Sequence, residues 1–296
     1  MSISRQNLSI VIVTLRSEEV IYNCLNSIDQ NIPVIIVEHS NDHFFKERLE
    51  LKYKNVRCIL SKSNLGMGTG NNIGIKESKT DYVLILNPDT TLEKDCLEEI
   101  FLSSKQLSDF TILAPKEKNY INYGILDKNL NSVSLDKKLN NQEDPFKVDF
   151  VDGFAMCINK TKLKDGSYFD ENIFMYLENN DLCKRVIDRG ENIFVIPRAK
   201  VNHLAAQTVD AKFKNEVELS RNWHWIWSKF YFNKKHLGLL WAIKEGIFRY
   251  FLSIIKFLFY TLTLNKNKKN VYFCRASGFY NALFKKPSWY RPNLDD

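Results

Sequence analysis

Residues 8–14, LSIVIVT, are an unbroken apolar run rich in β-branched side chains. Such a run reads as a strand buried on both faces, as in a parallel sheet covered by helices. The pattern repeats outward from it. Ser17-Glu18-Glu19 opens a helix with acids in its first turn, and Val20, Cys24 and Ile28 form its apolar stripe. Residues 33–37 (PVIIV) read as a second buried strand, 44–53 as a helix and 56–60 as a third strand. Residues 72–78 continue a helix after a glycine-rich turn. Residues 82–86 (YVLIL) are a fourth strand, stopped by Asn87-Pro88-Asp89, and 91–104 read as a helix. Strands alternating with helices at this spacing predict βαβ units and a mainly parallel, doubly wound sheet. In such sheets ligands gather beyond the carboxyl ends of the strands. Thr14, Glu38 and Asp89 stand at those ends, so they are the first residues to read for chemistry.

Further along, residues 116–147 are polar and irregular and read as a surface loop or edge hairpin, or else as a lid facing an acceptor. Residues 148–159 are β-rich, 179–189 have helical spacing, and 193–196 form another strand. A chain of 296 residues fits one large domain with an appendage. Hydrophobic residues at 44% and charged residues at 26% exclude a disordered chain. The net charge of +7 is unevenly placed: residues 211–296 hold 16 of the 42 Lys and Arg but only 5 of the 35 Asp and Glu. All five Trp lie beyond residue 220. The division expected is therefore a catalytic body over 1–215 and a helical, basic, aromatic region over 216–296. Six cysteines without a CxxC pair give no support to zinc-ribbon or thioredoxin chemistry. The start of the chain has no secretory leader pattern, which predicts a reducing cytoplasm and free thiols.

Four groups of residues carry candidate chemistry. Gly66-Met-Gly68-Thr-Gly70-Asn-Asn-Ile-Gly74 follows a strand and opens a helix, but a dinucleotide fingerprint belongs on the first strand–helix turn, and this one follows the third. Asn87-Pro88-Asp89-Thr90 is either an ordinary turn or a source of hard oxygen ligands for Mg²⁺ or Mn²⁺ on a diphosphate. Glu178 and Asp181, three apart in YLENNDLCKR, are either acids at a helix N-terminus or carboxylates for general-base work. His203 in KVNHLAAQT is a lone histidine, either structural or a ligand.

Taken in order, SIVIVT, VIIVEHSND, NLGMGTGNNIGI, YVLILNPDT, FDENIFMYLENNDLCKRV and KVNHLAAQT resemble the family-2 glycosyltransferases, in their rhamnosyltransferase-like bacterial branch. The resemblance runs from residue 8 to about residue 232. It implies an α/β nucleotide-sugar-binding domain of the GT-A type, inverting transfer of a sugar, and a divalent Mg or Mn ion. The donor would be a dTDP or UDP sugar, and the acceptor a cell-surface glycan or a lipid-linked one. By the same resemblance Thr14 and Glu38 border the nucleoside, with Glu38 where members usually carry Asp. Asn64, Gly66, Asn71, Asn87 and Gly153 line the donor and substrate, and Asp89 and His203 hold the metal. Glu178 and Asp181 fall on the acidic motif that supplies the base, although Asn179 replaces its usual second acid. Asp181 lies one turn before Arg185, where an ion pair neutralises it. Glu178 has only Asn beside it, and it is expected to be the base. A non-catalytic relative that binds a sugar nucleotide or a partner enzyme is the alternative. The acids at 89 and 178 argue against it.

The tail carries a near-continuous apolar stretch over 246–264, broken by Arg249 and Lys256. Charges at mid-stretch oppose a spanning helix. A helix lying in the membrane interface fits better, with Trp and Tyr at headgroup level and Lys266, Lys268 and Lys269 drawn to anionic lipid. A packed cap, a homodimer face and a true span are the other readings. The expected location is cytoplasmic and peripheral, on the inner face of the cell membrane. No RNP, KH or zinc pattern accompanies the basic charge, so nucleic acid is not expected as a partner.

Overall fold

The structure, a computed structural model, describes residues 2–107, 109–133, 142–163, 166, 168–204 and 213–293. It divides into two compact units, residues 1–170 with 179–209, and residues 171–178 with 210–296.

The first unit is built on a central sheet. Strands β1 (Leu8–Thr14), β2 (Val34–Glu38), β3 (Val56–Leu60) and β4 (Tyr82–Leu86) run parallel in the order β3-β2-β1-β4. Every residue of β1, β2 and β4 is buried, because helices cover both faces of these Val- and Ile-rich runs. These helices are α1 (Glu18–Asn26), α2 (His43–Lys52), α3 (Met67–Glu77) and α4 (Cys96–Gln106). Short β5 (Thr90–Leu92) follows β4 directly. Strands β6 (Ile112–Glu117), β7 (Tyr123–Leu126), β8 (Ser132–Val133), β9 (Phe146–Val148), β10 (Phe150–Val151), β11 (Ala155–Asn159) and β12 (Ile193–His203) complete the strands. The sheet continues past β4 as β11-β6-β12-β5, with β11 antiparallel to both its neighbours, while β10-β7-β8 form a small second sheet. The described part of the stretch 116–147 thus contributes edge strands and a hairpin, and residues 134–141 of it lie outside the described residues.

Register sets the site. Thr14 pairs with Glu38, and Ile12 pairs with Leu86, so β1, β2 and β4 end nearly level. The helix expected over 91–104 is corrected: Thr90–Leu92 is a strand, and helix α4 begins at Cys96. Thr90 and Thr91 are β-branched, and they find partners in the far end of β12, where His203 pairs with Thr90. That pairing brings His203 to the Asn87–Asp89 turn.

The glycines of α3 serve close packing. A Cβ on Gly74 would lie 2.3 Å from Val11 Cγ1, and one on Gly70 would lie 2.8 Å from Val13 Cγ2. Gly66 precedes the helix with φ +84, a left-handed conformation that favours glycine.

The second unit is a three-helix assembly of α6 (Lys214–Leu237), α7 (Leu239–Leu262) and α8 (Lys266–Leu283), numbered after α5 (Glu178–Asp188). Trp223, Trp227, Phe230, Ala242, Cys274 and Phe279 are buried at its centre. Gly278 lets α8 approach the Trp223 carbonyl, where a Cβ would sit 2.5 Å from the oxygen. The chain end returns over α6: His224 Nε2 donates to the Tyr290 carbonyl at 2.7 Å, and Trp227 Nε1 donates to the Lys286 carbonyl at 3.1 Å. Residues 171–178 belong here because Phe174 packs on His224, the Arg291 guanidinium sits 3.7 Å from the Phe174 ring centre, and Ser228 Oγ donates to the Met175 carbonyl at 2.7 Å. Helix α7 buries only Ala242 and Ser253 and leaves Phe248, Phe251, Ile255, Leu258 and Phe259 exposed. Among the described residues no helix is long and apolar enough to cross a membrane.

Candidate active site at the strand ends

Asp89 sits on the turn between β4 and β5 and is 2% exposed. Neither of its carboxylate oxygens has a hydrogen-bond partner among the described residues, and the same holds for Asn87 Oδ1 and Thr90 Oγ1 on that turn. A buried carboxylate without donors is costly, since an isolated charge loses its hydration and gains nothing in return. The nearest group of use is His203, whose Nε2 stands 3.3 Å from Asp89 Oδ1. The other ring nitrogen, Nδ1, is 2.5 Å from the Tyr120 hydroxyl. When Nδ1 donates to Tyr120, Nε2 turns a lone pair toward the carboxylate, and that is the tautomer a metal ligand needs. Phe154 stacks flat on the His203 ring at 4.2 Å and fixes its plane. The backbone locks both partners in place: Leu204 N donates to the Asp89 carbonyl at 3.1 Å, and Asn87 N donates to the Phe154 carbonyl at 2.8 Å. The Cys24 thiol lies under the same turn. Burial, and then the charge of Asp89, push its pKa far up, so it remains a neutral thiol.

These donors fit a hard divalent cation. Two orphaned carboxylate oxygens beside an oriented imidazole supply the charge and the lone pairs that Mg²⁺ or Mn²⁺ takes. Among the described residues no third His, Cys, Asp or Glu completes a protein cage. A site for Mg²⁺ shared with substrate phosphates characteristically has few protein ligands.

The neighbouring strand ends carry the other expected residues. Thr14 Oγ1 donates to Glu38 Oε2, and Ser40 N donates to Glu38 Oε1 at 2.5 Å. Burial holds the Glu38 carboxyl above its usual range, and the Ser40 and Thr14 hydrogen bonds pull it back. Asn64 Oδ1 accepts from Gly66 N at 3.1 Å and shapes the turn into α3. Asn71 is buried and its Oδ1 has no partner, whereas Asn72 is spent on Phe169 through two backbone hydrogen bonds. Gly153 faces Asn179, whose Nδ2 donates to the Val151 carbonyl at 2.8 Å. Asp181 is fully buried and takes Arg185 Nε on Oδ2 at 2.9 Å. Arg185 also donates to the Tyr168 carbonyl.

Glu178 belongs to the second unit. Its Oε2 is buried without a partner among the described residues, and burial pushes its carboxyl up to about 7. That value suits a group that must accept a proton near neutral pH.

Three residues were not legible as site candidates in the sequence. Tyr120 holds His203. His39 bridges β2 to the glycine turn, with Nδ1 2.7 Å from Ser61 Oγ and Nε2 3.2 Å from the Gly66 carbonyl, and burial keeps it neutral. Asp152 is half-buried, and burial raises its carboxyl while His203 pulls it back. Its signal in the sequence is the acid placed directly before Gly153.

A parallel sheet flanked by helices, with an aspartate turn after β4 and a histidine brought back to it, is the GT-A type of nucleotide-sugar-binding fold. Residues 9–166 match the profile described as Glycosyl transferase family 2, and the chain belongs to that family and is a glycosyltransferase. It is 28% identical over 225 residues to the low-salt glycan biosynthesis hexosyltransferase Agl10 of Haloferax volcanii, across 72% of each chain. It is 26% identical over 233 residues to the rhamnosyltransferase WbbL of Escherichia coli, across 66% of this chain and 83% of that one. Among solved structures, the mannosyltransferase PcManGT from Pyrobaculum calidifontis, in complex with GDP-Man and Mn2+, superimposes with a TM-score of 0.55 at 10% identity, covering 95% of this chain and 88% of that one.

Proposed function

We propose that this glycosyltransferase moves one hexosyl unit, rhamnose among the candidates, from a nucleoside diphosphate, dTDP or UDP, to a hydroxyl of a cell-surface glycan or lipid-linked acceptor, with inversion. The observation that carries this reading is the buried Asp89 carboxylate, left without a hydrogen-bond donor beside His203 at the carboxyl ends of a parallel sheet. Asp89 and His203 would hold a divalent Mg or Mn ion, with Asn87 and Thr90 on the same turn. Held there, such an ion would supply positive charge against a departing diphosphate. Thr14 and Glu38 present a fixed polar edge to the nucleoside, and Gly66, with Asn64 and Asn71, lets backbone approach the donor closely.

Inverting transfer is a single displacement, so a carboxylate must take the proton of the attacking hydroxyl. Glu178 is our choice, because its carboxyl titrates near 7 and has an unclaimed oxygen. Asp181 is committed to Arg185 and serves as a positioning residue. Asp152 is the second reading for the base, favoured by its raised carboxyl and its coupling to His203 in the first unit.

The exposed face of α7 supports peripheral attachment to an anionic inner membrane surface. Phe248, Phe251, Ile255 and Leu258 stand out of the helix, and Lys266 and Lys268 follow at its end. A homodimer face is the competing use of these side chains. Co-sedimentation of the full chain with anionic vesicles, and its loss in Phe251→Glu/Ile255→Glu, would support the membrane reading. A shift of that variant from dimer to monomer with vesicle binding unchanged would replace it. The donor reading is tested by calorimetry of UDP and dTDP with and without Mn²⁺. Tight binding of one nucleotide that disappears in EDTA is expected, and binding unchanged by EDTA, or no binding of either nucleotide, would overturn it.

A further inference from the structure

A second charged cluster lies on the helical unit, with Lys229 and Arg275 half-buried and Arg249 exposed. Lys229 of α6, Arg249 of α7 and Arg275 of α8 line one shallow pocket, and Glu245 is the one acid among its described lining residues. Among the described residues none of the three cations makes an ion pair within 4.0 Å. Arg275 is held by Asn222, with Nε donating to Oδ1 at 2.7 Å, and lies over the Tyr272 ring at 5.3 Å. Its guanidinium is thereby preorganised. The floor is made by Phe230 and Phe279 with Gly246, where a Cβ would sit 2.3 Å from the Phe279 ring. The absent side chain at 246 is what lets α7 and α8 close beneath the cations.

Like charges from three helices do not converge on a half-buried pocket without cost. Burial, and then the nearby charge of Arg249, hold the Lys229 ammonium below its ordinary pKa, with only Glu245 acting the other way. An anion entering the pocket would relieve the repulsion and meet donors of two geometries, a point charge from Lys and planar forks from Arg.

We infer that the pocket formed by Lys229, Arg249 and Arg275 is a binding site for a phosphate or diphosphate group, separate from the donor site. Its two possible sources are the headgroup of a lipid and a free phosphate compound. Arg249 is flanked on α7 by exposed Phe248 and, further on, Phe251 and Leu252, which gives apolar surface beside the mouth for whatever the phosphate is attached to.

The test uses the full chain in EDTA, so that metal-assisted nucleotide binding does not contribute. Inorganic pyrophosphate is titrated calorimetrically into the wild type, into Lys229→Gln/Arg249→Gln, and into Lys285→Gln/Lys286→Gln, two exposed lysines outside the pocket. The last variant removes the same charge from the same unit outside the pocket. The pocket variant should weaken pyrophosphate binding about tenfold or more, as expected for lost charge-assisted hydrogen bonds, while the outside variant should change it less than about twofold. Because Lys229 and Arg249 repel, the pocket variant should melt no lower than the wild type, which shows that any lost binding is not unfolding. A second arm compares phosphatidylcholine vesicles doped to equal charge with phosphatidate or with phosphatidylglycerol. A preference for phosphatidate that vanishes in the pocket variant assigns the lipid headgroup. Pocket-dependent pyrophosphate binding without that preference assigns a free phosphate compound. Absence of pyrophosphate binding in the wild type, or equal affinity in the wild type and pocket variant, or equal weakening in both variants, would overturn the site. Each of these outcomes leaves the Asp89 reading untouched.

Discussion

Glu38 and Asp89 are both buried carboxylates at the ends of parallel strands, and they differ in one respect. Glu38 closes β2 with Thr14 and Ser40 donating to its two oxygens. Asp89 follows β4 with no donor on either oxygen. A carboxylate that its own fold has satisfied maintains shape. One that the fold buries and leaves unsatisfied carries a free-energy cost that a ligand can offset, and the neighbouring His203 says which kind of ligand. The expected effects of mutation separate along the same line.

The largest effect is expected at Asp89. Asp89→Asn should lower kcat/KM by at least about 10³-fold if the carboxylate neutralises a cation on the leaving diphosphate. It should also abolish the rise in Tm that Mn²⁺ with nucleoside diphosphate gives by mass action, with the metal-free Tm unchanged or higher. A variant that keeps the Mn²⁺-dependent shift would erase the contrast with Glu38. Next is Glu178→Gln, expected to cost about 10²-fold in kcat with donor affinity unchanged. Its wild-type rate should fall as pH drops through about 7, because the base must be ionised. The sign for stability is the reverse. A carboxyl whose folded pKa is raised favours the protonated native state, so its stabilising effect is full below the unfolded value and lost as pH rises toward about 7. Thermal melts at pH 5 and pH 8 should therefore converge in Glu178→Gln relative to the wild type. If Asp152→Asn abolishes turnover and Glu178→Gln does not, the base lies at 152.

Tyr120→Phe is expected to act more mildly, weakening Mn²⁺-dependent nucleotide binding by about tenfold, as for the loss of an outer hydrogen bond to a metal-binding histidine. The smallest effect on catalysis is expected at Glu38→Gln. The amide keeps the shape and loses charge-assisted acceptance from Thr14 and Ser40, a cost of about 1–2 kcal/mol in stability measured by denaturant unfolding. An activity loss as deep as that of Asp89→Asn would make Glu38 a direct contact of the reacting groups, contrary to its satisfied geometry.

The sheet was legible where burial on two faces writes itself into composition, as in LSIVIVT, PVIIV and YVLIL. It was not legible at Thr90–Leu92, a three-residue strand that exists because β12 returns beside it. Nor was the start of α3 legible, since Gly66 and Gly68 promise little helix by propensity, while Gly70 and Gly74 further along seat the helix on Val13 and Val11. Asp89 and Asn87 could be found from position alone, at a strand end. His203 could be placed at the same site only through resemblance, because nothing local in KVNHLAAQT tells it from a structural histidine. Tyr120 and Asp152 reach the candidate site by tertiary contact with His203, and local pattern is silent about that. The pocket at Lys229, Arg249 and Arg275 was visible only as an excess of basic charge until three helices brought the side chains together.

The pairing of Thr90 with His203 also has a meaning in time. The turn that carries Asp89 is complete early in synthesis, yet the imidazole beside it comes from the last strand of the sheet. Closing that loop is a long-range event, the kind that folding reaches slowly. A ribosome-bound fragment ending before residue 203 has the carboxylate and lacks its partner, so a cation that needs both is held only by a chain whose sheet has been finished. If Asp89 and His203 hold the proposed cation, stalled fragments of increasing length should gain Mn²⁺ binding in a single step once residue 203 clears the exit tunnel.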